Sequence, residues 1–278
     1  MHNCSFPELG RDATEPVRSR RYLSDMTRTT LFAATLTSLF LAPAQGQPPT
    51  LIRIIRNAPA SDADPIQPYV NGRTQVNVVG ARAVTGSTES WLIEAHDSFA
   101  SIEATLNALT RAQGVQAAAS FDALPLSGTT IGLFRMGLSY RPEEAMAAVQ
   151  RSRYLNVSVY RIRAGSDLEF AELIRIRRRG LDAINMDRPE LAYQILSGAP
   201  SGTYVFLSPL ATLKTLDNGI AKLPVYAEAM AEAGADAGRK LAAQAELARE
   251  QRLFRLDPRI SYVSDEFAAA DVDFWRGK

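Results

Sequence analysis

Leu133-Phe134-Arg135-Met136, followed by Leu138-Ser139-Tyr140, returns 120 to 122 residues later as Leu253-Phe254-Arg255-Leu256, followed by Ile260-Ser261-Tyr262. An acidic pair follows each copy, Glu143-Glu144 and Asp265-Glu266. Upstream, Val84-Thr85-Gly86 and Ser90-Trp91-Leu92-Ile93 are echoed 112 to 113 residues on by Leu196-Ser197-Gly198 and Thr203-Tyr204-Val205-Phe206. Two matches in the same order at similar spacing point to one internal duplication. Working outward, each copy reads as strand, helix, strand, strand, helix, strand.

The second copy is the clearer. Asn156 to Ile162 alternates with β-branched residues, a strand pattern. Ser166-Asp167-Leu168-Glu169 has the form of a capping box opening a helix to about Gly180, a C-cap residue type. Leu191 to Leu196 and Thr203 to Leu207 are strands around the turn Gly198-Ala199-Pro200-Ser201-Gly202. An alanine-rich helix is predicted from Val225 to Arg252, then strands at 253–256 and 259–263. The first copy matches with strands Leu51–Arg56, Gln75–Val84, Glu89–Ala95 and Ile131–Tyr140 and a helix Phe99–Arg111. Its first helix, within residues 60–72, is cut short by Pro59, Pro65 and Pro68.

Two tandem βαββαβ units resemble the ferredoxin-like, dimeric α/β-barrel superfamily, and the resemblance covers residues 51–275. The closing string Ile260-Ser261-Tyr262-Val263-Ser264-Asp265-Glu266-Phe267-Ala268-Ala269-Ala270-Asp271, ending in Phe274-Trp275-Arg276, resembles secreted bacterial proteins of that group. NIPSNAP-type proteins and antibiotic-biosynthesis monooxygenases are similar in broader outline. The resemblance implies an α+β fold in which two four-stranded sheets enclose an intrachain barrel. It also implies a range of chemistries, from cofactorless oxygenation and haem degradation to simple binding, so fold alone does not choose among them.

The N-terminus carries an address. From Met26 the chain has Arg28, then twelve mostly apolar residues from Leu31 to Ala42, then the small residues Ala42, Ala44 and Gly46 before Gln47-Pro48-Pro49. That is the form of a secretory signal, and the run is far short of the roughly twenty residues needed to span a bilayer. Cleavage is expected after Gly46, or after Ala44, and Met26 is a candidate true start. The expected organisation is an export signal over 1–46, a first unit over 47–150 and a second over 151–278, in a periplasmic or extracellular protein. Removing the signal takes five of the 31 basic and four of the 30 acidic residues, leaving 26 of each. A neutral chain has no global field for nucleic acid or an anionic membrane surface. Cys4 and His2 leave too, so neither a disulfide nor a thiolate metal site is expected.

Alternation along strands divides the candidate site residues. Trp91, Ile93 and Ala95 oppose Leu92, Glu94 and His96. Assigning the apolar set to the helices turns Glu94 and His96 toward the barrel interior or its rim. The same rule turns Arg135 inward opposite Phe134 and Met136, Arg255 inward opposite Phe254 and Leu256, and Ser158 and Tyr160 inward opposite Val157 and Val159. His96 is the remaining histidine, and Glu94 beside it makes a carboxylate-supported base. On the catalytic reading His96 and Glu94 act as base and Arg135 orients an anionic substrate group. On the structural reading His96 ends a strand at the surface and the paired arginines brace the barrel. Tyr140, Tyr160, Arg255 and Tyr262 are the candidate ligand-binding residues. Arg175, Arg177, Arg178 and Arg179 read as a solvated helix face near a favourable dipole end.

Nucleotide, zinc-protease and serine-hydrolase motifs are absent from the sequence, and no cofactor or metal is expected. Haem ligation occurs in this fold, but no partner motif for it is present. Three functional readings follow. A small apolar or aromatic ligand sits in the barrel or in the gap left by the short first helix, or His96 serves a cofactor-independent oxygenase- or isomerase-like enzyme, or the barrel is a structural module that forms a homo-oligomer.

Overall fold

The computed structural model describes residues 46–57, 66–123 and 126–277. Residues 1–45, which hold all but the last residue of the segment expected to be an export signal, lie outside them, with Arg28 and the Leu31–Ala42 run, as do Pro59, Asp62, Asp64 and Pro65 ahead of the first helix. In the first half, strands β1 (Leu51–Asn57), β2 (Val78–Ala83), β3 (Ser90–His96) and β4 (Leu126–Phe134) alternate with helices α1 (Gln67–Gly72) and α2 (Phe99–Ala123). Helix α3 (Pro142–Val149) leads to the second half. There β5 (Tyr154–Ile162), α4 (Asp167–Ala183), β6 (Leu191–Ser197) and β7 (Thr203–Leu210) precede α5 (Lys214–Ala221), α6 (Leu223–Ala233) and α7 (Ala235–Ala245). Strand β8 (Glu246–Leu256) closes the half, and α8 (Asp265–Ala268) and α9 (Val272–Arg276) end the chain.

The strands form a closed antiparallel barrel in the order β1-β3-β2-β8-β5-β7-β6-β4. Each half contributes four neighbouring strands in equivalent order, β4-β1-β3-β2 and β8-β5-β7-β6, joined at β2–β8 and at β4–β6. Closure removes the unpaired edges that two separate four-stranded sheets would expose.

The barrel interior is apolar and packed. Ile52 and Ile54, Trp91, Val157, Tyr193 and Ile195, Val205 and Leu207, and Phe254 and Leu256 meet there in one cluster. Trp91 lies 4.6 Å from Phe254 by ring centroids. Outside the wall, α1 and α2 cover Ile55, Val78 and Leu92, while α4 covers Tyr160, Ile162, Tyr204 and Phe206.

This reverses the assignment of faces made from the sequence. Trp91 and Ile93, Phe134, Phe254 and Leu256, and Val157 and Val159 belong to the interior cluster. Glu94, His96, Arg135, Arg255, Ser158 and Tyr160 therefore face outward, and Met136 lies beyond β4 with its side chain exposed. The physical reason is that a small closed barrel has room only for tightly packed side chains and little place for unpaired polar groups. The outer face is covered by helices around Glu94, His96 and Tyr160, which can supply hydrogen-bond partners, and is open to water at Arg135 and Arg255.

Local readings also shift. The helix predicted to Arg252 ends at Ala245, is broken at Gly234 (φ +102°), and gives way to β8, which pairs with β5 from Glu246 onward. Residues 258–260 form a 3-10 turn rather than a strand, because the chain crosses over Gly80. A Cβ on Gly80 would stand 2.2 Å from the Ile260 carbonyl oxygen. Ser166 occupies the N-cap of α4 without a side-chain cap bond. Helix α4 runs past Gly180, where the missing side chain admits Met230 of α6. Gly198 (φ +86°) does serve the β6–β7 turn.

Candidate functional site

Arg53 and Glu94 are direct cross-strand partners on the outer face of β1 and β3. The guanidinium spans the carboxylate, with Nε to Oε2 and Nη2 to Oε1 both at 2.6 Å. The hydroxyl of Tyr69 donates to Oε1 from α1, and His96 Nε2 lies 2.9 Å from Oε2. One carboxylate thus takes four hydrogen bonds, and Arg53, Tyr69, Glu94 and His96 are all buried. On the other side of the imidazole, Nδ1 is 3.0 Å from Oγ of Ser101 in the first turn of α2. With Nε2–H donating to Glu94, Nδ1 accepts the Ser101 hydroxyl proton, so both ring nitrogens have partners.

The ionisation of this group follows from its contacts. Burial alone would raise the Glu94 carboxyl, but hydrogen bonds from His96 and Arg53 and the guanidinium charge hold it below the usual carboxylate range. Tyr69 goes the other way. Burial and the adjacent Glu94 charge push its phenol well above its ordinary value, so it remains a donor. Arg53 is held above its ordinary value because the Glu94 contacts outweigh its burial.

The second half buries a carboxylate in its own helix-covered layer. Glu190, just before β6, is 3.2 Å from Arg177 of α4 and accepts from Ser208 Oγ at 3.0 Å. Arg177 also reaches the Tyr160 hydroxyl at 3.3 Å, and Arg249 lies over the Tyr160 ring at 5.0 Å. The strand positions matching Arg53 and Glu94 are Asn156 and Ser208, again direct partners. Leu210, rather than Pro209, occupies the place of His96.

The structure joins His96 to Glu94 as the sequence suggested, but not to Arg135. That arginine is exposed and donates to Gln194 Oε1 at 2.7 Å. Arg255 is exposed on β8. Tyr140 is buried where its strand bridge meets Glu190, and the Tyr262 hydroxyl donates to the Thr74 carbonyl at 2.9 Å. Tyr160 belongs to the Glu190 network. Arg53, Tyr69 and Ser101 were missed. Arg53 had a usable signal, a lone charge inside Leu51-Ile52-Arg53-Ile54-Ile55, whereas Ser101 is an ordinary helix-start serine until the fold brings it to His96.

The arginine-rich face of α4 borders a surface cleft of about 420 Å³ lined by Leu168, Glu172, Arg175, Arg178 and neighbouring residues. Its cations are already engaged: Arg175 with Glu172, Arg178 with the Gly137 carbonyl, Arg179 with the Ala233 carbonyl. Among the described residues no helix is long and apolar enough to cross a membrane, and no group of three His, Cys, Asp or Glu residues is placed to hold a metal.

No protein-family model and no curated protein matches the sequence. Among solved structures the chain is similar to an anthrone oxidase-like protein, with 9% identity over 77% of this chain and 94% of the other at a TM-score of 0.51. A variant of chlorite dismutase from Candidatus Nitrospira defluvii aligns with 10% identity over 81% and 97% of the two chains, TM-score 0.46. At such identities the first likeness is one of fold, and the lower score carries no argument. The fold is the ferredoxin-like α+β type that the sequence resemblance implied.

Proposed function

We propose that this is an exported, cofactor-independent protein of duplicated origin that acts on a small molecule beside the short helix α1, outside the barrel wall. The observation carrying this reading is that His96, fully buried, is held between the Glu94 carboxylate and a hydroxyl on the first turn of α2. Any buried imidazole needs a partner on each ring nitrogen, and here one of the two is an ionised carboxylate. A carboxylate that fixes the ring and supports its charged form is what a general base needs. The packed apolar interior leaves the sheet–helix layer as the better place for a ligand. Repeated strand order supports the duplication, and the short apolar run ending in small residues supports export.

Native mass spectrometry of the protein purified from its own host tests the binding reading. The expected result is a retained small molecule that is absent from His96→Gln. A retained molecule unaffected by that change would move the site elsewhere, and none at all would favour the structural-module reading. Intact mass tests export: loss of residues 1–46 or 1–44 is expected, and a mass retaining them would overturn it.

A further inference from the structure

Ser101 is the one member of the chain Glu94–His96–Ser101 that is not fully buried. The links are 2.9 Å from Glu94 Oε2 to His96 Nε2 and 3.0 Å from His96 Nδ1 to Ser101 Oγ. A hydroxyl on an imidazole whose far nitrogen rests on a buried carboxylate is the arrangement that activates a serine nucleophile. It is recognised by geometry rather than by sequence order. Here it bypasses the usual serine-hydrolase sequence motif, because the serine stands in the first turn of a helix that follows directly on the strand carrying the base and the acid. Resting on the reading of His96 as a base, we propose that Ser101 is an acyl-accepting nucleophile and that the protein hydrolyses small carboxylic esters.

The surroundings of Ser101 suit that role. Ser98 caps α2, with its Oγ accepting the Ser101 backbone N–H at 3.2 Å. The backbone N–H groups of Phe99 and Ala100 have no acceptor within the helix, since the first turn never supplies one. They are available to an oxyanion next to the hydroxyl. The Phe99 side chain is 57% exposed and gives a substrate apolar surface beside the nucleophile. Arg53 holds both oxygens of Glu94, which weakens the support Glu94 can lend to a protonated His96. That favours leaving groups that depart easily, as in phenyl or other activated esters, over amides.

In the first step Ser101 Oγ bonds to the ester carbonyl carbon while its proton passes to His96 Nδ1. The tetrahedral adduct collapses, the ester C–O bond breaks, and the departing alkoxide takes that proton to leave as the alcohol. Water then gives a proton to Nδ1 as its oxygen attacks the acyl carbon. Ser101 Oγ departs, recovers the proton, and the carboxylic acid is released. One water is consumed and no redox partner is required.

The full exported chain is treated with a fluorophosphonate probe and mapped by peptide mass spectrometry, and p-nitrophenyl acetate hydrolysis is followed in parallel. One adduct on Ser101 is expected, together with hydrolysis that falls at least about 100-fold in Ser101→Ala. His96→Gln should lose labelling while Ser101 is still present. No adduct on Ser101, or hydrolysis unchanged in Ser101→Ala, overturns the proposal. Since Ser101 is half-buried on a helix, its alanine variant is expected to fold even if His96→Gln does not. A host-derived ligand lost in His96→Gln but kept in an unlabelled Ser101 protein would leave the binding reading standing and sink this one.

Discussion

The two halves of the barrel each bury one glutamate under helices, beside an arginine and a tyrosine, yet they build the group by different routes. In the first half the arginine and the glutamate are neighbours on adjacent strands, and the short α1 adds only Tyr69. In the second half the glutamate sits before β6 and the arginine comes from α4, a helix of 17 residues against six for α1. Matching strand positions hold Asn156 and Ser208 where the first half has Arg53 and Glu94, and Leu210 where it has His96. A buried carboxylate–arginine pair is thus part of the architecture in both halves. The imidazole with an outlet toward solvent belongs to one.

Breaking each carboxylate separates the two most sharply. In Glu94→Ala the Arg53 side chain, 7% exposed, is left without its counter-charge, and denaturant unfolding should show a loss of about 3–5 kcal/mol. A loss under about 1 kcal/mol would mean that water reaches the layer and that the group is not dry. Glu190→Ala should cost less, about 1–3 kcal/mol, because Arg177 is 19% exposed and can turn to water. Equal costs would erase the distinction between the halves.

Acid should find the first network. Glu94 has a folded pKa below its unfolded value, so its contribution is fully present above about pH 4.5 and is lost as the pH falls through the folded pKa. Wild-type stability should therefore drop on acidification below pH 4.5 by more than that of Glu94→Gln, read from urea midpoints at pH 6 and pH 3. Parallel curves would contradict the assignment. Asp257, held at about 2 despite its burial by hydrogen bonds from Arg259 and Arg82, adds a loss in the same direction between about pH 4 and 2 in both proteins. The smallest expected effect is in Ser208→Ala, about 1 kcal/mol for one hydrogen bond to Glu190. A larger loss would mean that Ser208 also supports the neighbouring Asn156.

Much of the strand pattern was legible in the residues. The β-branched alternation of Asn156–Ile162 and the glycine turn between Leu196 and Thr203 depend on local chemistry, and both elements formed. Glu246 to Gln251 was not legible. Glu-Leu-Ala-Arg-Glu-Gln is a good helix sequence, yet it is strand because pairing with β5 outweighs a propensity of a few tenths of a kcal/mol per residue. Half of the relay could be read: Glu94 and His96 are two apart on one strand and must share a face. Ser101 could not, since its bond depends on the angle at which α2 leaves β3.

By itself the sequence determined that two opposed sets of residues alternate along these strands, that the two halves share an element order, and that His96 is the one histidine after residue 46. Which set lies inside was decided by closure of the barrel and the helices laid over it. Alternation has a period but no sign, and when both faces are buried hydrophobicity alone does not supply one. Only the tertiary structure put Arg53 across from Glu94 and Ser101 against His96, because those contacts join residues from elements whose relative placement no local pattern encodes.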